Sequence, residues 1–218
     1  MATLAARVHS AAPMPFEVLV LALLIAAGLY LLNAQAQRRR IALLASYLGN
    51  YQIEKLMETL TQGYLRALGE NDPERRTQIW RLLQASEVQL SDQFGRFAAE
   101  FAKVDAAQAR VSTLPLALPL AEVLLPSATF DVRRAFEIHA HGFAAATREA
   151  NDSSPRDKAF TLSAELLLMQ HTCHWFCKSR MVASARMLAR HQTAYAQLVA
   201  SVAPETRRAY CTLVGAGG

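Results

Sequence analysis

Twenty consecutive residues without a charge, Val18 to Gln37 (VLVLALLIAAGLYLLNAQAQ), end abruptly on Arg38-Arg39-Arg40. At about 1.5 Å per residue, a helix of that length crosses the roughly 30 Å hydrocarbon core of a bilayer. Its apolar residues surround the helix instead of forming a stripe, as exposure to lipid requires. Pro13 and Pro15 place the helix start near Pro15, a favoured first-turn residue, with Glu17 beside the positive end of the helix dipole. The expected division is an N-terminal tail and transmembrane anchor with a basic stop (1–40), a cytoplasmic helical domain (41–214) and a disordered tail (215–218).

Orientation follows from charge. Arg7 and the α-amino group precede the span, whereas Arg38, Arg39 and Arg40 follow it directly as membrane-interface residues. Basic flanks stay on the cytoplasmic side. The sequence therefore places the N-terminus outside and the bulk of the chain in the cytoplasm, at a bacterial inner membrane. The competing reading is a secretory signal: Ala34-Gln35-Ala36 fits a small-x-small site, and cleavage near Ala36 would leave a periplasmic protein. Against it, the apolar run is longer than an ordinary signal core, and three arginines would have to be exported first.

Charge elsewhere excludes one class of partner. The first forty residues carry a net +3, and the remainder holds 19 basic against 17 acidic residues. Such a balance does not describe a nucleic-acid domain, which gathers Lys and Arg on one face. Three cysteines, Cys173, Cys177 and Cys211, make no framework for a disulfide-stapled module.

After the anchor the pattern is helical. Leu43, Leu44, Leu48, Ile53, Leu56, Met57, Leu60, Tyr64 and Leu65 keep helical spacing from Ile41 to Leu68, with a weak point at Gly49-Asn50. Gly69 to Pro73 reads as a turn: Gly69 ends one helix in the left-handed conformation, Asp72 caps the next, and Pro73 opens it. The third helix is expected from Pro73 to about Arg110. Its stripe is Ile79, Leu83, Leu90, Phe94, Phe97, Phe101 and Val104, and Arg75, Gln78, Glu87, Gln89, Asp92, Arg96 and Lys103 lie opposite. The three phenylalanines resemble a cofactor stack on paper, but at this spacing they read as core.

Leu114 to Phe130 (LPLALPLAEVLLPSATF) carries one charge, Glu122, and Pro115, Pro119 and Pro126 forbid a long helix. It reads as an apolar crossover packed on the bundle, the sharper alternatives being a loop that dips into the bilayer or a docking patch. Asp131 to Ala150 is the fourth helix, with Val132, Phe136, His139 and Phe143 on one face and His141 turned towards Glu137 and Arg148. Ser154 and Pro155 open the fifth. From Arg156 to Val202 there is neither Gly nor Pro. A straight helix of that extent would run on the order of 70 Å, too long for a compact bundle, so a break is expected. Its stripe is Leu162, Leu166, Met169, Cys173, Cys177, Met181, Leu188, Tyr195, Leu198 and Val202. Ala203-Pro204-Glu205 opens a short last helix ending near Leu213.

One constellation has the residue types for chemistry: His171-Thr172-Cys173-His174-Trp175-Phe176-Cys177. On a helix Cys173 and Cys177 share a face and His174 lies partly round from them. With His139 or His191 from a facing helix they would make a site for zinc, copper or haem iron. A dithiol switch would need local unwinding, because helical positions four apart exceed relaxed disulfide geometry. The competing reading is that both cysteines are small apolar core residues. There is no glycine-rich phosphate loop, no G-x-S-x-G, no H-E-x-x-H and no C-x-x-C-H. Basic doublets Arg75-Arg76, Arg133-Arg134 and Arg207-Arg208 read as solvated surface.

The sequence thus leads to an all-α protein: a single N-terminal transmembrane helix followed by a four- to five-helix bundle. The expected function is a non-enzymatic interaction, scaffold or assembly factor that meets lipid at its anchor and a protein partner, or its own copy, at its helix faces. It has no resident cofactor and no nucleic-acid partner. The alternative is a membrane-tethered metal or redox sensor built on Cys173, His174 and Cys177.

Overall fold

The computed structural model describes residues 16–117, 121–148 and 154–215. The N-terminal tail with Arg7 and Pro15, the segment around Pro119, residues 149–153 between the expected fourth and fifth helices, and the last three residues of the tail lie outside the described residues.

The apolar run forms the first half of α1 (Phe16–Leu48). It is a 33-residue helix, long and apolar enough to cross a membrane. Phe16 to Leu32 is exposed on every side. Packing begins at Asn33, whose Nδ2 donates to Ala117 O at 3.2 Å, and culminates at Leu44, which is buried. Lys178 Nζ donates to Gln37 Oε1 at 2.8 Å, and Arg40 donates to the carbonyls of Phe176 and Arg110 at 3.5 and 3.2 Å. Of the three arginines expected at the lipid boundary, Arg38 and Arg39 are exposed and Arg40 is engaged with the domain.

The weak point at Gly49-Asn50 is a real break, and α2 (Ile53–Gly69) folds back onto α3 (Pro73–Phe101). Asp72 caps α3 as expected, accepting from Glu74 N–H at 2.9 Å. Gly69 does not take the left-handed conformation: it stays in the last turn of α2, and the chain leaves through extended Glu70. The third helix stops at Phe101, nine residues before the expected Arg110. Asp105 is the reason. Its side chain accepts from Ala107 N–H at 2.8 Å and its carbonyl from Gln108 and Ala109, a local turn that competes with helix.

The chain then makes β1 (Arg110–Ser112), a crossover containing α4 (Ala121–Leu124) and a single 3-10 turn, and β2 (Thr129–Asp131). The two strands pair antiparallel, with Val111 opposite Phe130. This small ribbon departs from the all-helical expectation, although the fold class remains all-α. Trp175 clamps it, donating from Nε1 to Ser112 O at 2.9 Å and packing edge-on to Phe130 at 4.9 Å.

The rest is α5 (Val132–Arg148), α6 (Pro155–Cys177), α7 (Arg180–His191), α8 (Tyr195–Ser201) and α9 (Pro204–Val214). Helices α3, α5 and α6 bury the core between them, with α9 against α5 and with α7 and α8 against α6. Phe94, Phe97, Phe101, Phe136, Phe143 and Phe176 are fully buried and touch at 4.9–6.3 Å between ring centres. The phenylalanine series is therefore core and not a cofactor stack.

The expected break in the fifth helix occurs twice. The first falls at Lys178, where Ser179 caps α7 by accepting from Val182 N–H at 3.3 Å. The second falls at Gln192, left-handed at φ 52°. The first break re-phases the helix, so Met181 and Leu188 leave the expected stripe for the surface and α7 buries Ala183 and Met187 instead. Glu87, assigned to the polar face of the third helix, is also buried. It pairs with buried Lys158 of α6 and accepts from Tyr64 OH at 2.8 Å.

Candidate functional site

The cluster singled out by sequence occupies the C-terminal third of α6, where Cys173, His174 and Cys177 face α1 and α2. Pro155 and the Ser154 cap start α6, and with no Gly or further Pro it runs on to Cys177. Cys173, His174 and Cys177 line an open groove of about 780 Å³ between that end of α6, the last turns of α1 and the start of α2. The floor is apolar: Leu44, Leu48, Met57, Met169 and the two thiols. The rim carries both signs of charge, with Glu54, Lys55, Lys178 and Arg186.

Each member has a neighbour that defines its state. Cys173 Sγ donates to Met169 Sδ at 3.7 Å, one turn back. Burial pushes its thiol well above the usual range, with the neighbouring Cys177 adding to the effect. Cys177 is raised to about 11 by burial, although Arg40, Lys178 and Arg186 pull the other way. Thiols held that high are neutral at pH 7, and the neutral thiol is a poor nucleophile and a reluctant metal ligand. Arg186 Nη1 lies 3.1 Å from His174 Nδ1, which therefore accepts. Burial, then Arg186 and Arg190, lower the His174 pKa and keep the ring neutral.

His139 is not with them. It is fully buried on α5, with Nε2 2.8 Å from Thr172 Oγ1 and its ring 5.5 Å from Tyr210. Thr172 Oγ1 also lies 3.0 Å from Leu168 O and 3.3 Å from Tyr210 OH, so the three side chains share one buried hydrogen-bonded cluster. Burial, helped by His171, pushes His139 down to about 3. The structure thus brings Cys173, His174 and Cys177 to one groove and holds His139 in a different seam. Among the described residues no three His, Cys, Asp or Glu side chains converge in a way that would hold a metal ion.

That second seam escaped the sequence. Between α5, α6 and α9 lie His139, Thr172, Tyr210, Glu165 and Thr206, all buried. Glu165 Oε1 accepts from Ala203 N–H at 3.0 Å. Burial raises its carboxyl to about 7, against the opposing hydrogen bonds of Thr206 and Ala203. Gly142 makes the space: a Cβ there would stand 2.7 Å from both Glu165 Oε2 and Thr206 Oγ1. Next along α6, His171 stacks on Tyr195 at 4.5 Å, lies 3.1 Å from Ser184 Oγ, and is lowered to about 4 by burial and by His174 and Arg180. The readable signal was Glu165 itself, a carboxylate three after Leu162 and four before Met169 on the core stripe.

No protein-family model, no curated protein and no solved structure matches this chain.

The functional reading therefore rests on geometry alone. The buried seam has neutral imidazoles and a carboxyl packed against side chains, an arrangement that specifies how the helices seat. The groove is open, apolar at its base and charged at its rim, which is the character of a surface that receives another apolar element.

Proposed function

We propose that this chain is a single-pass membrane protein whose helical domain acts at the cytoplasmic face of a bacterial inner membrane as a non-enzymatic interaction, scaffold or assembly factor. The observation that carries this reading is the first half of α1. From Phe16 to Leu32 every described residue is exposed and nearly all are apolar. Among the described residues no element of the domain covers that surface, and a lipid bilayer does so at the right length. Cleavage near Ala36 fits less well: it would cut a continuous helix between Asn33 and Gln37, both bonded to the domain. Arg38 and Arg39, exposed directly after the uncharged run, supply the cytoplasmic bias.

The partner surface in this reading is the groove beside α1. An apolar floor with Met57 and Met169, adaptable side chains both, suits the ridge of an amphipathic helix, and the mixed charge of the rim suits its polar flanks. The test has two arms. Alkaline phosphatase fused to the C-terminus should be inactive in intact cells, and the chain should resist carbonate extraction; an active fusion overturns the cytoplasmic placement, and a soluble periplasmic chain starting at Gln37 overturns the anchor. Affinity purification from native membranes should recover a stoichiometric partner, or a second tagged copy, that Met57→Arg removes. Recovery unaffected by that substitution overturns the groove as the contact.

A further inference from the structure

The crossover between β1 and β2 lies against α1 at a telling height. Asn33 donates to Ala117 O at 3.2 Å, and Asn33 stands five residues inside the uncharged run that ends at Arg38. Five residues are about 7 Å along a helix axis. A hydrocarbon layer of about 30 Å needs some twenty helical residues. If it begins after Glu17, it ends near Gln37, beyond the level at which the crossover touches the helix. At Ala117 the crossover is therefore level with the inner edge of the apolar layer.

Its surface matches that position. Leu116 is 54% exposed, Val123 74% and Leu124 71%, although each is a large apolar side chain. Several of its described backbone groups are met within the protein, and its prolines lack a donor. Pro115, Pro119 and Pro126 have no N–H to satisfy. Ala117 O takes the Asn33 amide, Pro115 O takes Met181 N–H at 3.2 Å, and Leu125 N–H is given to Ala121 O at 2.8 Å. Satisfied or missing donors are what a backbone near hydrocarbon needs. Cations lie beside these contacts: Arg38 and Arg39 follow the run, Lys178 bonds Gln37, and Arg180 precedes the residue that bonds Pro115. Three prolines and one acid, Glu122, suit a shallow contact better than a second crossing.

We propose that the apolar crossover inserts Leu116, Val123 and Leu124 into the same leaflet that surrounds the base of α1, giving the domain a second membrane contact beside its anchor. The proposal rests on the membrane reading of α1.

The test is site-specific photo-crosslinking of the full chain in native membranes, with adducts identified by mass. Val123→benzoylphenylalanine and Leu124→benzoylphenylalanine report the crossover, and Leu24→benzoylphenylalanine reports the anchor. Leu82→benzoylphenylalanine, on the half of α3 remote from α1, reports an exposed apolar site of 75% accessibility away from the membrane. Phospholipid adducts at Val123 and Leu124, several-fold above Leu82 and comparable with Leu24, are the expected result. Lipid adducts at Leu24 with none at Val123 and Leu124, or with protein adducts there instead, overturn the crossover contact and leave the anchor standing. No lipid adduct at Leu24 overturns the anchor, and with it the shared leaflet.

Discussion

The guanidinium of Arg40 stands 5.8 Å from the centre of the Phe176 ring while donating to the Phe176 carbonyl, so one side chain holds α1 against the C-terminal end of α6. It also reaches Arg110 O at the start of the strand ribbon. Arg40→Ala should lower the stability of the detergent-solubilised protein by about 1–2 kcal/mol, the worth of a charge-assisted hydrogen bond plus a cation–π contact. Arg40→Lys should restore only part, since an ammonium lacks the planar fork that serves two carbonyls. Denaturant titration of the three proteins decides it, and an Arg40→Ala midpoint equal to that of the parent would show the docking to be idle.

Buried Glu87 and Lys158 give a second prediction. Lys158→Met alone strands a carboxylate in the core and should cost about 3–5 kcal/mol. Glu87→Leu together with Lys158→Met should recover most of that loss, the remainder being the hydroxyl of Tyr64 left without its acceptor, about 1–3 kcal/mol. A double variant as unstable as the single one would mean that the pair itself, and not the orphaned charge, sets the cost.

Stability should also peak in the mildly acidic range, for two opposing reasons. His139 and His171 are lowered to about 3 and about 4 in the folded chain. The unfolded chain therefore binds more protons below the ordinary histidine range, and stability falls as pH drops from about 6.5. Glu165 is raised to about 7, so the folded chain holds the extra proton between the ordinary carboxylate range and neutrality. Its contribution is complete at low pH and is lost as pH rises towards 7. Glu165→Gln should leave stability near pH 4 almost unchanged and abolish the loss that Glu165 contributes from about pH 4.5 to 7, so that the variant gains on the parent steadily across that interval and keeps the gain above it. Melting curves across that interval measure the slope, and an unaltered slope in the variant removes Glu165 as its source.

Thiol chemistry separates packing from sensing. With both thiols raised by burial, Cys173 and Cys177 in the native protein should react slowly with iodoacetamide at pH 7.5 and rapidly after unfolding. Cys177→Ala should then change stability but not bound metal, read by elemental analysis of the purified protein. Fast native labelling, or stoichiometric zinc, copper or iron lost with Cys177→Ala, would favour the sensor instead.

Where punctuation in the chain has a local cause, it was legible. Asp72-Pro73 and Ser154-Pro155 open helices as their chemistry requires, and Gly49-Asn50 is a real break. Less visible were stops with no glycine or proline. The end of α6 at Lys178 depends on Ser179 Oγ accepting from Val182 N–H, and the end of α3 depends on the turn of Asp105. Both are side-chain competitions that hydrophobic periodicity does not register. The groove was foreshadowed by the cysteine–histidine cluster. The seam of Glu165, His139 and Tyr210 was not, because periodicity counts a carboxylate as surface until a partner such as Thr206 or a small neighbour such as Gly142 gives it a place inside. Glu87 was misplaced for the same reason, its cation lying on another helix.

The continuity of α1 has a mechanical consequence. About 50 Å of unbroken helix joins the exposed apolar half to the half wedged against α3 and α6. With no glycine or proline joint between Asn33 and Leu48, the domain has no swivel. Any tilt or roll imposed on the outer half is delivered as a lever stroke to the walls of the groove.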